Sequence, residues 1–456
     1  MTSTKKTMKV GLGLAVVAAS WACNFDVTNP GPIQQEFLAD PDAQPALVSG
    51  AGRALSDGLN WISYTSAAVA REIHPSGSTG SFGITQRWQN GELASDDPDL
   101  DTHWNLAQRA RWLGEEAIRI IDENGESEPG LKAQANLWVG YANRLLGENM
   151  CRATIDGSAP QASTVFLDRA EAAFTAAASA GSGAVATAAV AGRASVRAQK
   201  GDWAGAVADA AQVADGFSYK MPYYAGFGDD QQNRIFRAMA GNPYRAHSEW
   251  NTWVEDYGLS AKNPNGDPRV PYTYQPGQKG DAATECCGST EFYPQQKFKD
   301  GAAAIELSSG AEMRLIEAEK LLMDGNFSGA MDRINALRTA AGMPAETAAS
   351  VAEAWGFLKR EHAIEMWLEG RRLAALRRWH DAGLTEADLD PLEQVSGRSP
   401  PGRTCCSATT ASRSRCRSSR PTPTWAWAAE SSLHPLGVKT PGSAQAGPGV
   451  LLVGTN

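Results

Sequence analysis

The chain has 456 residues, of which 42% are hydrophobic and 20% are charged, and its formal net charge is −9 at pH 7. This length and composition allow a large core, in one extended domain or two fused ones. The acidic balance argues against a nucleic-acid partner, because binding to a polyphosphate requires a basic surface. Neutral or cation-rich partners are expected instead.

The N-terminus has the pattern of an export signal. Lysines at positions 5, 6 and 9 precede an apolar run over 10–19, and Ala22 leads directly into Cys23. The run is too short to cross a bilayer, so residues 1–22 are predicted to be a cleaved signal peptide. A cysteine after a small residue at such a site is typical of bacterial lipoproteins, and we expect acylation of Cys23. Plain secretion is the alternative, since Trp21 and the absence of a leucine at position 20 depart from the usual lipobox.

The body of the chain is predicted to be mostly α-helical. Helical spacing of apolar residues extends over 106–124, 131–146, 166–180 and 187–200. Two irregular blocks, at about 73–98 and 219–298, are rich in Gly, Pro, Tyr and Asn and lack that period. We expect these blocks to form loops and short strands displayed by the helices.

A short turn pattern occurs twice in the helical part. After Gly201-Asp202-Trp203 and after Gly325-Asn326-Phe327, two residues intervene before an alanine that opens a second apolar stripe. Glycine, a capping residue, an aromatic and a small residue at this spacing are typical of the turn in a tetratricopeptide-type helical hairpin. The segment Ala311 to Pro344 therefore predicts one such hairpin, and a similar unit surrounds Trp203.

The segment Leu358 to His380 carries an unusual distribution of charge. Glu361, Glu365 and Glu369 lie four residues apart on one predicted helix face, where like charges repel by a few tenths of a kcal/mol per pair. The ladder therefore needs cations from outside it. The arginines that follow at positions 371, 372, 377 and 378 are the predicted source.

Together the hairpin and this charged segment resemble the C-terminal half of the SusD/RagB family of nutrient-binding outer-membrane lipoproteins. In that family an R-x-x-A-G-like turn, here Arg338 to Gly342, precedes a helix of the form E-R-x-x-E-L-x-x-E-G-x-R-x-x-D-L-x-R-W. The residues that match this helix are Lys359-Arg360-Glu361, Glu365, Glu369-Gly370, Arg372, Leu376 and Arg378-Trp379. Asp26 to Pro30 and Asp267-Pro268-Arg269 look like further landmarks. The resemblance covers most of residues 23–399 and implies a SusD-like α/α superhelix of tetratricopeptide-like hairpins with long irregular loops and short strands.

The resemblance also implies a ligand site built from the irregular blocks, in which aromatic rings stack on sugars or other nutrients. A ring buries the apolar face of a sugar while amides and carboxylates bind its hydroxyls. The candidate ligand-binding residues are Phe82, Trp88, Trp250, Trp253, Tyr272, Tyr274, Phe292 and Tyr293. Each of them is also explained by packing within its loop. Trp138, Trp203 and Trp367 lie on helical stripes and are assigned to the core.

Signals of enzyme, cofactor or metal chemistry are weak. The glycine-rich stretch 181–186 follows a predicted helix, whereas a dinucleotide fingerprint follows a strand. Asp97 opens an incomplete calcium-loop pattern, and the six histidines form no H-E-x-x-H motif. We therefore expect no enzyme, cofactor or metal, although paired carboxylates for glycoside hydrolysis are not excluded by spacing alone. A disulfide among Cys151, Cys286 and Cys287 is plausible, but its connectivity cannot be deduced.

The tail after about residue 400 differs in composition from everything before it. From Gly397 onward there are six arginines and one lysine against the single acid Glu430, so residues 400–456 are predicted to be disordered. A one-base frame change is a sharper explanation. Reading 424–428, Thr-Trp-Ala-Trp-Ala, from the third base of Thr424 restores an alternation of Leu, Val or Met with Gly. We predict a slip near Pro400 to Gly402, although a natural tail is the alternative.

Two classes of function follow from the sequence. The first is an outer-membrane lipoprotein that captures an oligosaccharide or peptide and delivers it to a TonB-dependent, SusC-like transporter, a partner implied by the resemblance. The second is a periplasmic tetratricopeptide-type adaptor for protein partners. A helical glycoside hydrolase is a less favoured third class. The sequence does not choose between glycan and peptide.

Overall fold

The computed structural model describes residues 40–77, 98–150, 152–226, 231–240, 245–280 and 290–382. These ranges are mostly helical, as predicted. After a 3-10 turn at Pro41–Ala43, the helices are α1 Gln44–Val69, α2 Pro98–Asn124, α3 Leu131–Asn149, α4 Thr164–Ala180, α5 Gly183–Lys200, α6 Trp203–Ala210, α7 Arg234–Met239, α8 Val254–Tyr257, α9 Gly310–Met323, α10 Phe327–Ala340, α11 Val351–Glu365 and α12 Arg372–Asp381. The helices predicted at 106–124, 131–146, 166–180 and 187–200 are confirmed as α2 to α5.

Six short strands accompany the helices in the described residues. They are β1 His74–Pro75, β2 Arg152–Ala153, β3 Gln161–Ala162, β4 Ser218–Met221, β5 His247–Ser248 and β6 Ile305–Ser309. They form three antiparallel pairs, β1 with β5, β2 with β3, and β4 with β6. The first of these pairs joins the two irregular blocks predicted from the sequence, because His74 lies opposite Ser248 and Pro75 opposite His247.

Helices that follow one another in sequence pack side by side, in the order α1 to α6, and α9 then packs on α5, α6, α10 and α11. Small residues allow the close approach. A Cβ on Gly140 of α3 would lie 2.6 Å from the Phe174 ring, and one on Gly192 of α5 would lie 2.5 Å from the same ring. Phe174, fully buried on α4, therefore occupies space that only glycine leaves on its neighbours.

The two repeated turns have the same geometry. Gly201 and Gly325 adopt left-handed φ angles of 83° and 76°, which glycine reaches without steric cost. The next residue caps the following helix: Asp202 accepts from the amide of Gly205 at 3.1 Å, and Asn326 accepts from that of Gly329 at 3.0 Å. The hairpin prediction is confirmed for α9 and α10 and for α5 and α6.

The segment 358–380 is not one helix, contrary to the prediction. Helix α11 ends at Glu365, a turn occupies 366–370, and α12 begins at Arg372. Leu368 and Gly370 in that turn have φ angles of 61° and 73°, which an α-helix cannot contain. The turn buries Trp367 and Leu368 completely, while Trp138 and Trp203 pack against the core with part of their surface exposed.

No helix in the described ranges combines the length and the apolar character that crossing a bilayer requires.

Candidate ligand-binding surface

The ends of three irregular segments meet at one junction. The amides of Ser76 and Gly77 donate to the carbonyl of Ala246 at 2.8 and 3.1 Å, and Ser76 Oγ donates to the carbonyl of Arg245 at 2.8 Å. Gly280 lies at the same place, because a Cβ there would come within 1.9 Å of the Ser76 carbonyl oxygen. The segments 78–97, 241–244 and 281–289 adjoin these residues in sequence and lie outside the described residues.

The aromatic candidates in the described part of the second block fall into two groups. Trp253, Tyr272, Phe292 and Tyr293 are buried, with 1%, 3%, 1% and 4% of their surface exposed. Trp250 and Tyr274 are only partly buried and pack against the same core. A ring must expose a face in order to stack on a ligand, so Trp250 and Tyr274 fit that role here. The four buried rings form the packing beneath them.

Local backbone geometry places the Trp250 ring. Ser248 Oγ accepts from the Trp250 amide at 3.0 Å, two residues along the chain, which tightens the turn after β5. Asn251 follows with a φ of 60°, a left-handed conformation that asparagine tolerates better than most residues. The His74 ring meets the Trp250 ring edge to face, with centroids 5.1 Å apart and planes at 85°. The ring is therefore supported from both strands of the β1–β5 pair.

The Tyr274 ring is supported through the same serine. Ser248 Oγ also accepts from the amide of Tyr293, at 2.8 Å, and the Tyr293 ring lies 5.1 Å from the Tyr274 ring. Tyr272 lies 6.1 Å from Tyr293 on another side. One fully buried hydroxyl thus bonds the backbone of Trp250 and the backbone of Tyr293, the ring on which Tyr274 packs.

Two neutral histidines lie beneath this surface. Burial lowers the pKa of His74 to about 4 and that of His247 to about 3. His74 Nδ1 lies 2.7 Å from the carbonyl of Pro75 and donates to it, and His247 Nδ1 lies 2.6 Å from the Tyr64 hydroxyl. Both rings are uncharged at neutral pH, which suits their position under apolar contacts.

Two buried carboxyl groups lie close to the histidines in sequence. Burial raises the pKa of Glu72 to about 7 and raises that of Glu249 well above its usual value. Glu72 Oε1 accepts from the amide of Leu368 at 3.2 Å and so supports the left-handed turn after α11. Glu249 Oε2 accepts from the Thr252 hydroxyl at 3.2 Å. These groups join the junction to the scaffold and lie too deep to contact a ligand.

The glutamate ladder takes its cations from the irregular block, so the predicted pairing with the arginines at 371–378 is wrong. Arg269 Nη1 donates to Glu361 and, at 2.6 Å, to Glu365, while its other nitrogens bind Asp267. Lys297 Nζ donates to Glu369 at 2.6 Å. The break after α11 turns the ladder away from the arginines of α12. Asp267-Pro268-Arg269, noted as a family landmark, therefore clamps the block to α11.

Arg371, at the N-cap of α12, and Arg378, within α12, instead line a small polar cavity in the scaffold. Arg371 donates to Glu312 at 2.6 Å and Arg378 donates to Glu319 at 2.7 Å. His362 lies on the same cavity, which has room for about one water molecule. Ligand pockets for oligosaccharides or peptides are far larger. The cavity is therefore part of the ion-paired core and does not serve as a nutrient site.

Several predicted residues lie outside the described ranges. They are Phe82, Trp88, Cys23, Asp97 and the cysteines at 151, 286 and 287. Within the described ranges, no group of three or more His, Cys, Asp or Glu side chains is arranged to hold a metal ion.

Sequence reasoning did not single out two exposed rings. Tyr224, with 49% of its surface exposed, lies in the second irregular block, and Trp112, with 55%, lies on α2. Nothing in the adjacent sequence distinguishes Tyr224 from its buried neighbour Tyr223. Trp61 was also not predicted; its ring is covered by the Arg234 guanidinium at 3.3 Å and by His103 at 4.7 Å.

Comparisons with known proteins agree with this architecture. The model of the SusD family, SusD_RagB, matches residues 310–415, which include α9 to α12. A SusD superfamily protein from Bacteroides vulgatus ATCC 8482 superposes with a TM-score of 0.60 at 14% identity, covering 78% of this chain and 91% of that chain. A SusD-like protein from Bacteroides fragilis NCTC 9343 superposes with a TM-score of 0.60 at 13% identity, covering 77% of this chain and 88% of that chain.

A laminarin-binding SusD-like protein gives a TM-score of 0.51 at 14% identity, covering 74% of this chain and 93% of that chain. At these identities the structural likeness shows the fold alone. No curated protein sequence matches the chain. The SusD family model thus matches the hairpin and the charged segment, and the superpositions show a SusD-like fold for most of the chain.

Proposed function

We propose that this protein binds a nutrient, an oligosaccharide or a peptide, on the surface formed by Trp250 and Tyr274. The observation that carries the proposal is that both rings are partly exposed and that Ser248 Oγ holds the amide of Trp250 and the amide of Tyr293, on whose ring Tyr274 packs, beside the β1–β5 strand pair. The laminarin-binding relative supports a glycan ligand. Phe82 and Trp88 are proposed to complete the surface, because their segment begins directly after Gly77 in that junction.

Binding without catalysis is the role that this surface supports best. The buried carboxyl groups near it, Glu72 and Glu249, do not reach the exposed rings as an acid and base pair would have to reach a sugar. Stacking on two rings holds a sugar with moderate affinity, which suits a protein that passes its ligand on. We therefore propose a capture protein and not a hydrolase.

The proposed setting is the outer membrane. We propose that acyl chains on Cys23 anchor the protein and that a TonB-dependent, SusC-like transporter receives the ligand. Sequence support comes from the signal pattern before Cys23 and from the match to the SusD family model. Replacing Cys23 with serine should move the protein from the membrane fraction to the soluble fraction. Retention of the variant in the membrane would contradict lipid anchoring at this residue.

Calorimetry tests the ligand proposal. We expect laminari-oligosaccharides, malto-oligosaccharides or mixed peptides to include a binder, with Trp250→Ala and Tyr274→Ala each weakening affinity by roughly 5- to 30-fold, or about 1–2 kcal/mol. Trp112→Ala is the matched control, because it removes an equally large, exposed ring from the helical scaffold. Equal loss in all three variants would contradict a site at Trp250 and Tyr274.

The same samples separate the other classes of function. Release of shorter sugars during incubation would indicate a hydrolase. A protein that binds none of the probes, yet captures a protein partner through the scaffold, would support the adaptor, which the partly exposed rings disfavour. A gene for a TonB-dependent barrel beside this one would support delivery to a transporter.

A further inference from the structure

The Trp250 ring depends on two buried side chains that a ligand would not touch. Ser248 is fully buried, and its hydroxyl oxygen accepts hydrogen bonds from the amides of both Trp250 and Tyr293. The edge of the His74 ring supports the Trp250 ring. Building on the proposed function, we propose that Ser248 and His74 are positioning residues that hold the Trp250 ring in its ligand-facing orientation, and that this support makes ligand binding acid-labile.

Ser248 fixes the separation between Trp250 and Tyr274 as well as the orientation of the Trp250 ring. Its hydroxyl lies 3.0 Å from the Trp250 amide and 2.8 Å from the Tyr293 amide, and Tyr293 in turn packs against Tyr274. Removing the hydroxyl leaves two buried amides without their acceptor, which the backbone can relieve only by moving. Trp250 and Tyr274 would then shift relative to each other. Affinity for a ligand that spans both rings should fall.

His74 is held where a charge cannot be accommodated. It is paired with Ser248 across the β1–β5 strands, and His247 on the partner strand has its Nε2 atom buried without a hydrogen-bond partner. The charged or titratable groups around the two rings come from every neighbouring element. They are Tyr64 on α1, Arg71 and Glu72 before β1, Arg234 on α7, and Glu249 after β5.

These neighbours do not favour protonated histidines. Arg71 opposes a charge on His74, and His74 opposes a charge on His247. Burial already lowers the pKa of both rings below the usual value of 6.5, so the strand pair must open before they take up protons at mild acidity. The β1–β5 strand pair is therefore fully stable above pH 6.5 and weakens as pH falls toward 4. The equilibrium between the closed and the open pair shifts by up to about tenfold per pH unit for each histidine.

Fluorine NMR of protein containing 5-fluorotryptophan tests the positioning directly and needs no ligand. The Trp250 signal is assigned by its loss in Trp250→Phe. We expect Ser248→Ala and His74→Ala to shift or broaden this signal at pH 7.5, whereas Ser248→Thr, which keeps the hydroxyl, should restore it. A Trp250 signal that is unchanged in both alanine variants would overturn the proposal.

The acid dependence has its own test. With laminarihexaose as the probe in calorimetry, we expect affinity at pH 4.5 to be at least about tenfold below that at pH 7. His74→Phe keeps an edge contact without a titrating group, and its affinity at each pH is compared with its own affinity at pH 7. Its loss of affinity with acid should be about half as steep, because His247 alone then titrates.

His362→Phe is the matched control. The His362 ring is also buried and meets Trp379 edge to face at 5.4 Å, but it lies in the helical scaffold. This variant should leave the Trp250 signal and the acid dependence as in wild type. Identical pH profiles for wild type and His74→Phe would overturn the acid-labile support. Absence of laminarihexaose binding at pH 7 would count against a glycan ligand, while the fluorine signal would still decide the positioning.

Discussion

The helical segment 310–382 and the irregular segment 245–298 are held together by different interactions. In the first, small residues and buried ion pairs such as Arg371 with Glu312 join regular helices. In the described residues of the second, backbone hydrogen bonds at isolated β-bridges and clustered aromatic rings stabilise a chain with little regular structure. The first segment gives a rigid support, and the second gives side chains that are free of helical period and can face a ligand.

Neither segment is complete on its own. The carboxylates of α11 and the following turn belong to the helical segment, but the cations that neutralise them, Arg269 and Lys297, belong to the irregular one. Glu361 is fully buried, and without Arg269 its remaining cation would be the more distant Arg338, at 3.6 Å. The glutamates of the charged segment therefore form one side of an ion-paired interlock between the helical scaffold and the irregular block, and Arg269 and Lys297 form the other side.

The largest expected effect comes from breaking that interlock. Arg269→Ala leaves Glu361 buried without its closest cation and also releases Glu365 and Asp267. We expect a loss of about 3–5 kcal/mol in the free energy of unfolding, measured by urea denaturation. Adding Glu361→Gln should recover part of the loss, because the buried charge is then removed.

Arg119→Ala is the control for this substitution. Arg119 makes two ion pairs of similar length, with Glu116 and Glu123, but on an exposed face of α2. Such surface pairs contribute little, so the expected change is far smaller than that of Arg269→Ala. Equal losses in the two variants would show that burial does not determine how much these ion pairs contribute to the free energy of unfolding. The pairs of Arg269 would then stabilise the protein no more than surface pairs do.

How far the sequence predicted these two segments depends on how local their determinants are. Helices α2 to α5 and both hairpin turns were predictable, because a period of 3.6 and a glycine followed by Asp202 or Asn326 act within a few residues. Helix α1 was not predicted, since Gly50, Gly52 and Gly58 interrupt its apolar pattern. Two of them make room for neighbouring helices, Gly52 for Trp138 and Gly58 for Ala107.

Determinants that depend on distant partners were not predictable. The cation for Glu361 lies 92 residues away, at Arg269, so proximity in sequence pointed to the wrong arginines. The positive φ of Leu368 is supported by the carboxylate of Glu72, almost 300 residues earlier, and nothing local signals it. In the irregular segment, no period tells which aromatic faces outward, so Trp250 could not be separated from the buried rings.

A smaller effect is expected where Glu72 joins the two segments. Burial raises its pKa to about 7 from the usual 4.5, so the folded protein holds a proton that the unfolded chain releases. Its contribution to stability is full below pH 4.5 and is lost as pH rises toward 7. Glu72→Gln keeps an acceptor for the Leu368 amide and cannot ionise. Urea denaturation should show a gain of about 1–3 kcal/mol at pH 8 and little change at pH 4.5.

Glu123→Gln provides the comparison for Glu72→Gln. Its side chain is exposed on α2, so the two stability curves of this control and wild type should run parallel with pH. A Glu72→Gln variant that is less stable than wild type at pH 8 would mean that an ionised carboxylate is needed by Arg372 and Lys297. Glu72 would then belong with Arg269 in the ion-paired interlock.

The smallest effect concerns the helical segment alone. Asn326→Ala removes the acceptor of the Gly329 amide at the start of α10, and the loss of such a cap costs about 0.5–2 kcal/mol. Asp202→Ala should cost a similar amount at α6, because its bond to Gly205 has nearly the same length. Exchanging the two residues, Asn326→Asp with Asp202→Asn, should be close to neutral if the two turns are equivalent.

Because these caps lie in the rigid support, both alanine variants should lower the unfolding midpoint while leaving ligand affinity at Trp250 unchanged. A loss of affinity that accompanies the loss of a cap would show that the ligand surface depends on the scaffold's stability as a whole, and not only on the contacts at Arg269 and Ser248.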